Sequence, residues 1–331
     1  MKSSHRYQQL TIAALLVFSI AALGLSLLVG SVSIVWNDLI SFFRSGTVSM
    51  TTMVVLELRL PRAFSAFVVG GSLAVAGVMM QVLLRNPLAD PYVLGVSGGS
   101  AAFALIVMLL GLPFSAVPIA ATMGAGFSIV LLILLARASG DWGSSRLLLT
   151  GIVLASGWGA LIGFFLSLGE ANQIQGMLFW LMGDLRPEWP GFIRILVLLA
   201  VLIGGLIVAR DLDLLLEGDL RARSLGLNTS ALRLIILLAA SLLTAASVTL
   251  AGPVGFIGLV VPHMMRLIIG SRHRLLIPVS ALAGGTLLVI AEMIARTVIA
   301  PQQLPVGVIT SFIGVPVFLY LLRRRGVSIP S

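Results

Sequence analysis

The sequence contains no cysteine, and Lys2 is its single lysine among 21 basic residues. Without cysteine there are no disulfides, no thiolate nucleophile and no Cys-ligated metal. The lone lysine is equally restrictive, because a P-loop needs one inside G-x-x-x-x-G-K-[ST]. Lys2 stands in no such setting, so the chain carries no standard Walker A site and any ATP-driven work must be powered by another chain. Charge is scarce in general. Charged residues make up 10% of the chain and hydrophobic ones 59%, against about 25% charged in a typical soluble domain. Acidic residues number 12. Only Glu292 lies well inside an apolar run, while Asp38, Asp90, Asp141 and Asp184 fall between runs. No paired carboxylates, H-E-x-x-H or Ser/His/Asp arrangement appears at membrane depth. No catalytic residue, metal ligand or cofactor is therefore assigned.

What the sequence does contain is a succession of apolar runs of roughly 20 residues, each long enough to cross a bilayer. They are too long and too uniformly apolar for the short alternating strands of a membrane barrel. The predicted fold class is an all-α, polytopic membrane protein, one domain over residues 1–331. The net charge of +9 comes from basic residues scattered between runs. No basic domain exists to hold nucleic acid, and membrane orientation explains the scatter better.

The stretch 58–100 sets the pattern. Arg59 and Arg62 open an apolar run, which leaves through Arg85-Asn86-Pro87-Leu88-Ala89-Asp90-Pro91 into a second, glycine-rich run. That reads as a crossing, a tight polar turn and the start of a return. Ten crossings are expected in all, near 10–35, 60–83, 93–111, 114–136, 146–168, 191–209, 230–250, 253–269, 275–296 and 305–322. The first is longer than the apolar core of a cleaved signal, about 7–15 residues, and reads as an uncleaved helix. Trp36 is placed at the outer interface, and residues 170–190 form an outside loop with a short surface helix. With the N-terminus inside, fifteen basic residues fall inside and six outside, which predicts N-in, C-in. Small residues at 70–77 and a G-x-x-x-G at Gly159 and Gly163 suit close helix packing or a pore lining. The longest charged inner segment, 210–228, reads RDLDLLLEGDLRARSLGLN. Gly218 and Gly226 bracket a short helix there. The segment is either a solvated linker or, given its leucines, a helix docked on a partner surface.

At these residues the chain resembles the FecCD-type permeases, the membrane subunits of bacterial ABC importers for iron chelates and vitamin B12. The matching segments are LRLPR (58–62), RNPLADPYVLGVSGG (85–99), SSRLLLTGI (144–152), GDLRARSLGLN (218–228), GPVGFIGLVVPHMMRL (252–267) and LPVGVITSFIGVPVFLYLLRR (304–324). The resemblance implies a subunit of ten helices in the inner membrane, made of two five-helix halves in inverted orientation. Pro253-Val254-Gly255 and Pro305-Val306-Gly307 are a weak echo of that repeat. It further implies a homodimer with the pathway at its two-fold axis, two ATPase subunits on the inside and a periplasmic binding protein outside.

Carried over by position, the resemblance makes Gly218, Arg221, Ala222, Arg223, Ser224, Leu225 and Gly226 the ATPase-coupling segment. It gives Arg59, Arg62 and Arg296 to docking of the binding protein. Snorkelling toward lipid headgroups is the alternative for Arg62 and Arg296, and a pair with Glu292 four residues earlier is another for Arg296. Asn86, Leu88, Ser144 and Ser145 match the inner gate, with a plain helix stop as the alternative at Asn86-Pro87. His263 reads as a packed or hydrogen-bonded residue, and His5 and His273 as surface residues. The implied cargo is a ferric siderophore, haem or cobalamin. The runner-up is a secondary transporter driven by an ion gradient, which the shortage of intramembrane carboxylates opposes.

Overall fold

A computed structural model of the chain describes residues 2–30, 42, 44, 46, 48–137 and 144–324. Trp36 and the side chains of His5 and Ser144 lie outside what it describes. In a bilayer every backbone polar group must be satisfied within its own segment or barrel, and helices carry most of the described residues. They are α1 (Lys2–Leu28), α2 (Met50–Leu83), α3 (Val96–Leu109), α4 (Val117–Arg137), α5 (Ser144–Leu168), α6 (Ala171–Leu181), α7 (Phe192–Ile207), α8 (Ala209–Leu216), α9 (Asp219–Ser224), α10 (Thr229–Ala251), α11 (Ile257–Ile269), α12 (His273–Thr297) and α13 (Val306–Arg324). Each of the ten expected apolar stretches holds a helix.

Among the described residues six helices are long and apolar enough to span: those within Tyr7–Leu28, Met50–Leu83, Phe114–Ala136, Ser145–Leu168, Thr229–Ala251 and His273–Thr297. α7 and α8 together form a seventh candidate, bent by 65° at Val208. α3, α11 and α13 are shorter than their sequence stretches suggest or close to the lower limit. The reason for α3 is local. Asp90 caps a 3₁₀ turn at Pro91–Leu94, and Gly95 follows in the left-handed region at φ 78°, so the helix starts only at Val96. α11 is delayed in the same way by Gly252 (φ 65°) and Phe256 (φ 69°). α2 departs in the opposite direction. It begins at Met50, ten residues before the expected entrance, because a π-helical turn over Val54–Arg59 carries the helix through the charged residues.

α2 is the central element, with 94% of its most apolar window buried, whereas the corresponding share in α1 is 17%. Close packing of glycines makes this possible. A Cβ on Gly70 would lie 2.2 Å from the Gly284 carbonyl of α12, and one on Gly77 would lie 1.9 Å from the Gly258 carbonyl of α11. Backbones that approach this closely gain dispersion contact, the main attraction between helices when lipid is the solvent. The G-x-x-x-G of α5 does not act in this way within the chain, since a Cβ on Gly159 or Gly163 would meet nothing within 4 Å. α6 is the short helix expected in 170–190. It is closed by a capping box between Glu170 and Gln173 and buries Met177 and Trp180.

Candidate translocation and coupling sites

The segment 210–228 folds into α8 and α9 with a break at Gly218. Gly218 (φ 118°) and Gly226 (φ 83°) both occupy backbone regions that favour glycine, so the short helix with breakers at its two ends is present as expected. α8 is amphipathic. It buries Leu212 and Leu215 completely, and Asp213 fixes it to the start of α12. The Asp213 carboxylate accepts from the His273 backbone N–H at 3.1 Å and pairs with His273 Nδ1 at 2.5 Å. His273 is fully buried, not at the surface as its sequence reading expects. A second histidine, His263 of α11, is buried as expected.

α9 keeps Ala222 inside and turns large side chains outward. Leu220 is 88% exposed and Leu225 61%. Arg221 is exposed and pairs with Glu217 at 2.8 Å, and Arg223 Nε donates to Thr229 Oγ1 at 3.1 Å. The Ser224 hydroxyl closes the helix by donating to the Arg221 carbonyl. Leu220 on this six-residue helix and Leu225 just past its end stand out beside two arginines, a surface suited to a complementary cleft.

Asp219, the first residue of α9, anchors it. Its carboxylate accepts from Arg233 Nη2 of α10 at 2.9 and 2.8 Å and from Arg85 Nη2 at 2.5 Å. Arg85 belongs to the turn that ends α2, and its Nε also donates to the Leu215 carbonyl at 3.1 Å. The turn is a Schellman motif. Asn86 N–H bonds to Gln81 O and Arg85 N–H to Val82 O, with Arg85 left-handed at φ 48°. Holding a non-glycine residue there costs about 1–2 kcal/mol.

Asn86 and Leu88, the pair that the resemblance places at the inner gate, follow directly. Asn86 Oδ1 accepts from Leu88 N–H at 2.9 Å, and both residues are exposed. Ser145 is also exposed, at the start of α5. The structure therefore joins Asn86 and Leu88 to the α9 region through Arg85, a link that no motif announces.

Arg59, Arg62 and Arg296 come together at the other end of α2 and α12. All three are buried, at 3%, 8% and 6% exposure, around the fully buried Glu292. Arg62 Nε lies 2.9 Å from Glu292 Oε1, and Arg296 Nη2 lies 3.5 Å from Oε2. Arg62 also donates to Gln303. Arg59 donates to the carbonyls of Leu27 and Leu28 at 2.9 and 3.0 Å, and Arg296 to that of Ser26 at 2.5 Å. These last residues of α1 have carbonyls with no partner in their own helix, so the arginines also fasten α1. The i,i+4 pair of Arg296 with Glu292 was legible from spacing; the Arg62 pair and the hold on α1 were not.

The two Pro-Val-Gly turns meet at one place. Gly183 O accepts from Val306 N–H at 2.9 Å, and a Cβ on Gly183 would lie 3.0 Å from Pro253 O and 3.1 Å from Gly307 N. The Tyr92 hydroxyl bridges in from the first half of the chain, donating to Val254 O at 3.0 Å and accepting from Val254 N–H at 2.8 Å. An apolar cavity of about 680 Å³ lies against this junction, lined by Tyr92, Met182, Pro253, Gly307, Ser311 and Phe312 among others. Sequence reading missed Tyr92 and this cavity; the internal echo was the one available signal. Among the described residues no group of three or more His, Asp or Glu side chains is placed to hold a metal.

Comparison with known proteins agrees with this architecture. The chain is 40% identical over 319 residues to the Fe(3+) dicitrate transport system permease protein FecD of Escherichia coli K12, covering 94% of this chain and 98% of that one. It is 41% identical over 282 residues to the vitamin B12 import system permease protein BtuC of Vibrio cholerae, covering 84% and 85%. It is 40% identical over 279 residues to the hemin transport system permease protein HmuU of Yersinia pestis, covering 82% and 83%. A solved metal-chelate type ABC transporter in an inward-facing conformation superimposes with a TM-score of 0.80 over 96% of this chain and 99% of that one. Its sequence is 24% identical, so it speaks for the fold. The sequence model of the FecCD transport family matches residues 15–324, and this multi-pass membrane protein belongs to that family.

Proposed function

We propose that the chain is the membrane-spanning permease subunit of an ABC importer that carries an iron chelate, haem included, or cobalamin into the cell. The observation that carries this reading is α9, a glycine-bounded helix that exposes Leu220, Leu225, Arg221 and Arg223. Such a helix gives a separate ATPase a firm point to push on. The work is mechanical. ATP-driven closure of two ATPase subunits displaces α8 and α9, and the packed helices respond as a two-state element. The permease relatives named above support the substrate class, and the missing P-loop lysine fits the division of labour.

In this reading ten helices cross the inner membrane with both termini inside, and two copies enclose the pathway. The inverted halves meet where Tyr92, Val254 and Gly183 join, and the apolar cavity there faces the passing solute. Asn86, Leu88, Ser144 and Ser145 close the inner end. Arg59, Arg62 and Arg296 outnumber Glu292 by two charges, and that excess draws acidic groups of a periplasmic binding protein to the outer end. Glu292 is enclosed by Arg62 and Arg296, which leaves it poorly suited to carry a coupling ion and disfavours a secondary transporter. The test is reconstitution with the genomically adjacent ATPase, adding the adjacent binding protein loaded in turn with haem, a ferric siderophore or cobalamin. Stimulated hydrolysis and uptake with one cargo are expected. An ATPase that does not associate with the chain overturns the reading.

A further inference from the structure

We propose that Arg85, Asp219 and Arg233 form a positioning clamp that makes the turn bearing Asn86 and Leu88 move with α9. This rests on the permease reading, because it supposes that α9 is the part an ATPase moves.

Three features carry it. First, one carboxylate receives two guanidiniums from different elements, Arg233 of α10 through both oxygens and Arg85 of the turn after α2. Charge-assisted bonds of this kind fix direction as well as distance. Second, Arg85 holds both sides of the Gly218 break, with Nη2 on Asp219 and Nε on the Leu215 carbonyl of α8. A shift of α9 relative to α8 therefore pulls on Arg85, and Asn86 is the next residue. Third, Arg85 keeps a left-handed backbone that glycine adopts at no such cost. The side chain is what an arginine contributes there. The clamp is also partly screened from water, with the Arg233 side chain 6% exposed and that of Asp219 33%.

The test uses Arg85→Gln, which removes the link to the turn and leaves the Arg233–Asp219 pair in place. Because the chain has no cysteine, spin labels at Leu88→Cys and Leu220→Cys report on these two sites alone, in the permease without partners. With labelled chains diluted into an excess of unlabelled ones, so that only distances within one chain are read, we expect one narrow distance distribution that at least doubles in width with Arg85→Gln. In unlabelled protein reconstituted with the ATPase and the loaded binding protein, Arg85→Gln leaves ATPase association and basal hydrolysis unchanged. Uptake per ATP falls about tenfold, the scale of a typical coupling free energy, and Arg85→Lys, which keeps the charge but not the two-pronged hold, restores only part of it. An unchanged distribution overturns the clamp, as does an equal fall in uptake and hydrolysis. If Arg85→Gln aggregates, Asp219→Asn read by the same label pair decides by the same criterion. Failure of the unaltered chain to bind an ATPase would overturn the permease reading, while the distance measurement still decides the clamp.

Discussion

Arg62 and Glu292 face each other at 2.9 Å with both side chains buried, although they stand at opposite ends of the sequence. Arg296 shares the same carboxylate, and Arg59 and Arg296 reach on to the end of α1. One acid thus organises three bases and, through them, the seating of the first helix.

Removing that acid is expected to be costly. Glu292→Gln leaves the three guanidiniums without a carboxylate among them, and losing one partner of a buried pair typically costs roughly 3–5 kcal/mol. The apparent Tm in detergent should fall on the order of 10 °C. A Tm within two or three degrees of wild type, read by a thermal-shift assay, would show that the cluster does not hold the fold.

The glycine contacts give a paired prediction. Gly77→Val pushes a side chain into the Gly258 backbone carbonyl, which lies 1.9 Å from an ideal Cβ. Neither helix can yield without separating α2 from α11, so monodisperse protein should be lost on size exclusion. Gly159→Ala on α5 meets nothing within 4 Å and should fold as wild type when the permease is purified alone.

Asp90 supplies a pH dependence. Burial pushes its carboxyl up to about 6, against the opposing effect of the Tyr92 backbone N–H. A carboxyl whose folded pKa is raised favours the protonated folded state, so stability falls as pH rises from about 4 through 6. Asp90→Asn keeps an oxygen to accept from Tyr92 N–H and removes the charge. The variant should match wild type near pH 4 and melt higher above pH 6. Parallel melting curves across that range would refute the shift.

At the membrane surface, Arg221→Glu with Arg223→Glu should abolish co-purification of the ATPase without changing the permease elution profile. Leu220→Asp, at a side chain 88% exposed, should weaken it in the same way. Unchanged co-purification in both would remove α9 from the docking surface.

Much of the fold was legible because membrane helices announce themselves by length and apolarity. The Gly218 and Gly226 breaks around α9 were equally plain. What composition cannot convey is where a helix yields to a turn inside an apolar run. Gly95 and Phe256 delay α3 and α11 by left-handed backbone, and neither changes the hydropathy. Long-range charge pairing was hidden for a different reason. Arg296–Glu292 follows helical spacing, whereas Arg62–Glu292, Arg85–Asp219 and Asp213–His273 depend on which helices become neighbours. His273 reads as a surface residue in the sequence, whereas the fold buries it against Asp213.

The left-handed backbone of Arg85 sets what variation at that position does. Glycine there would relax the backbone and remove the side-chain link in a single change. Arg85→Gly is thus the rare substitution that can make a membrane protein easier to fold and worse at its work. A library selected for expression would enrich it, and the same library selected for growth on the transported solute would discard it.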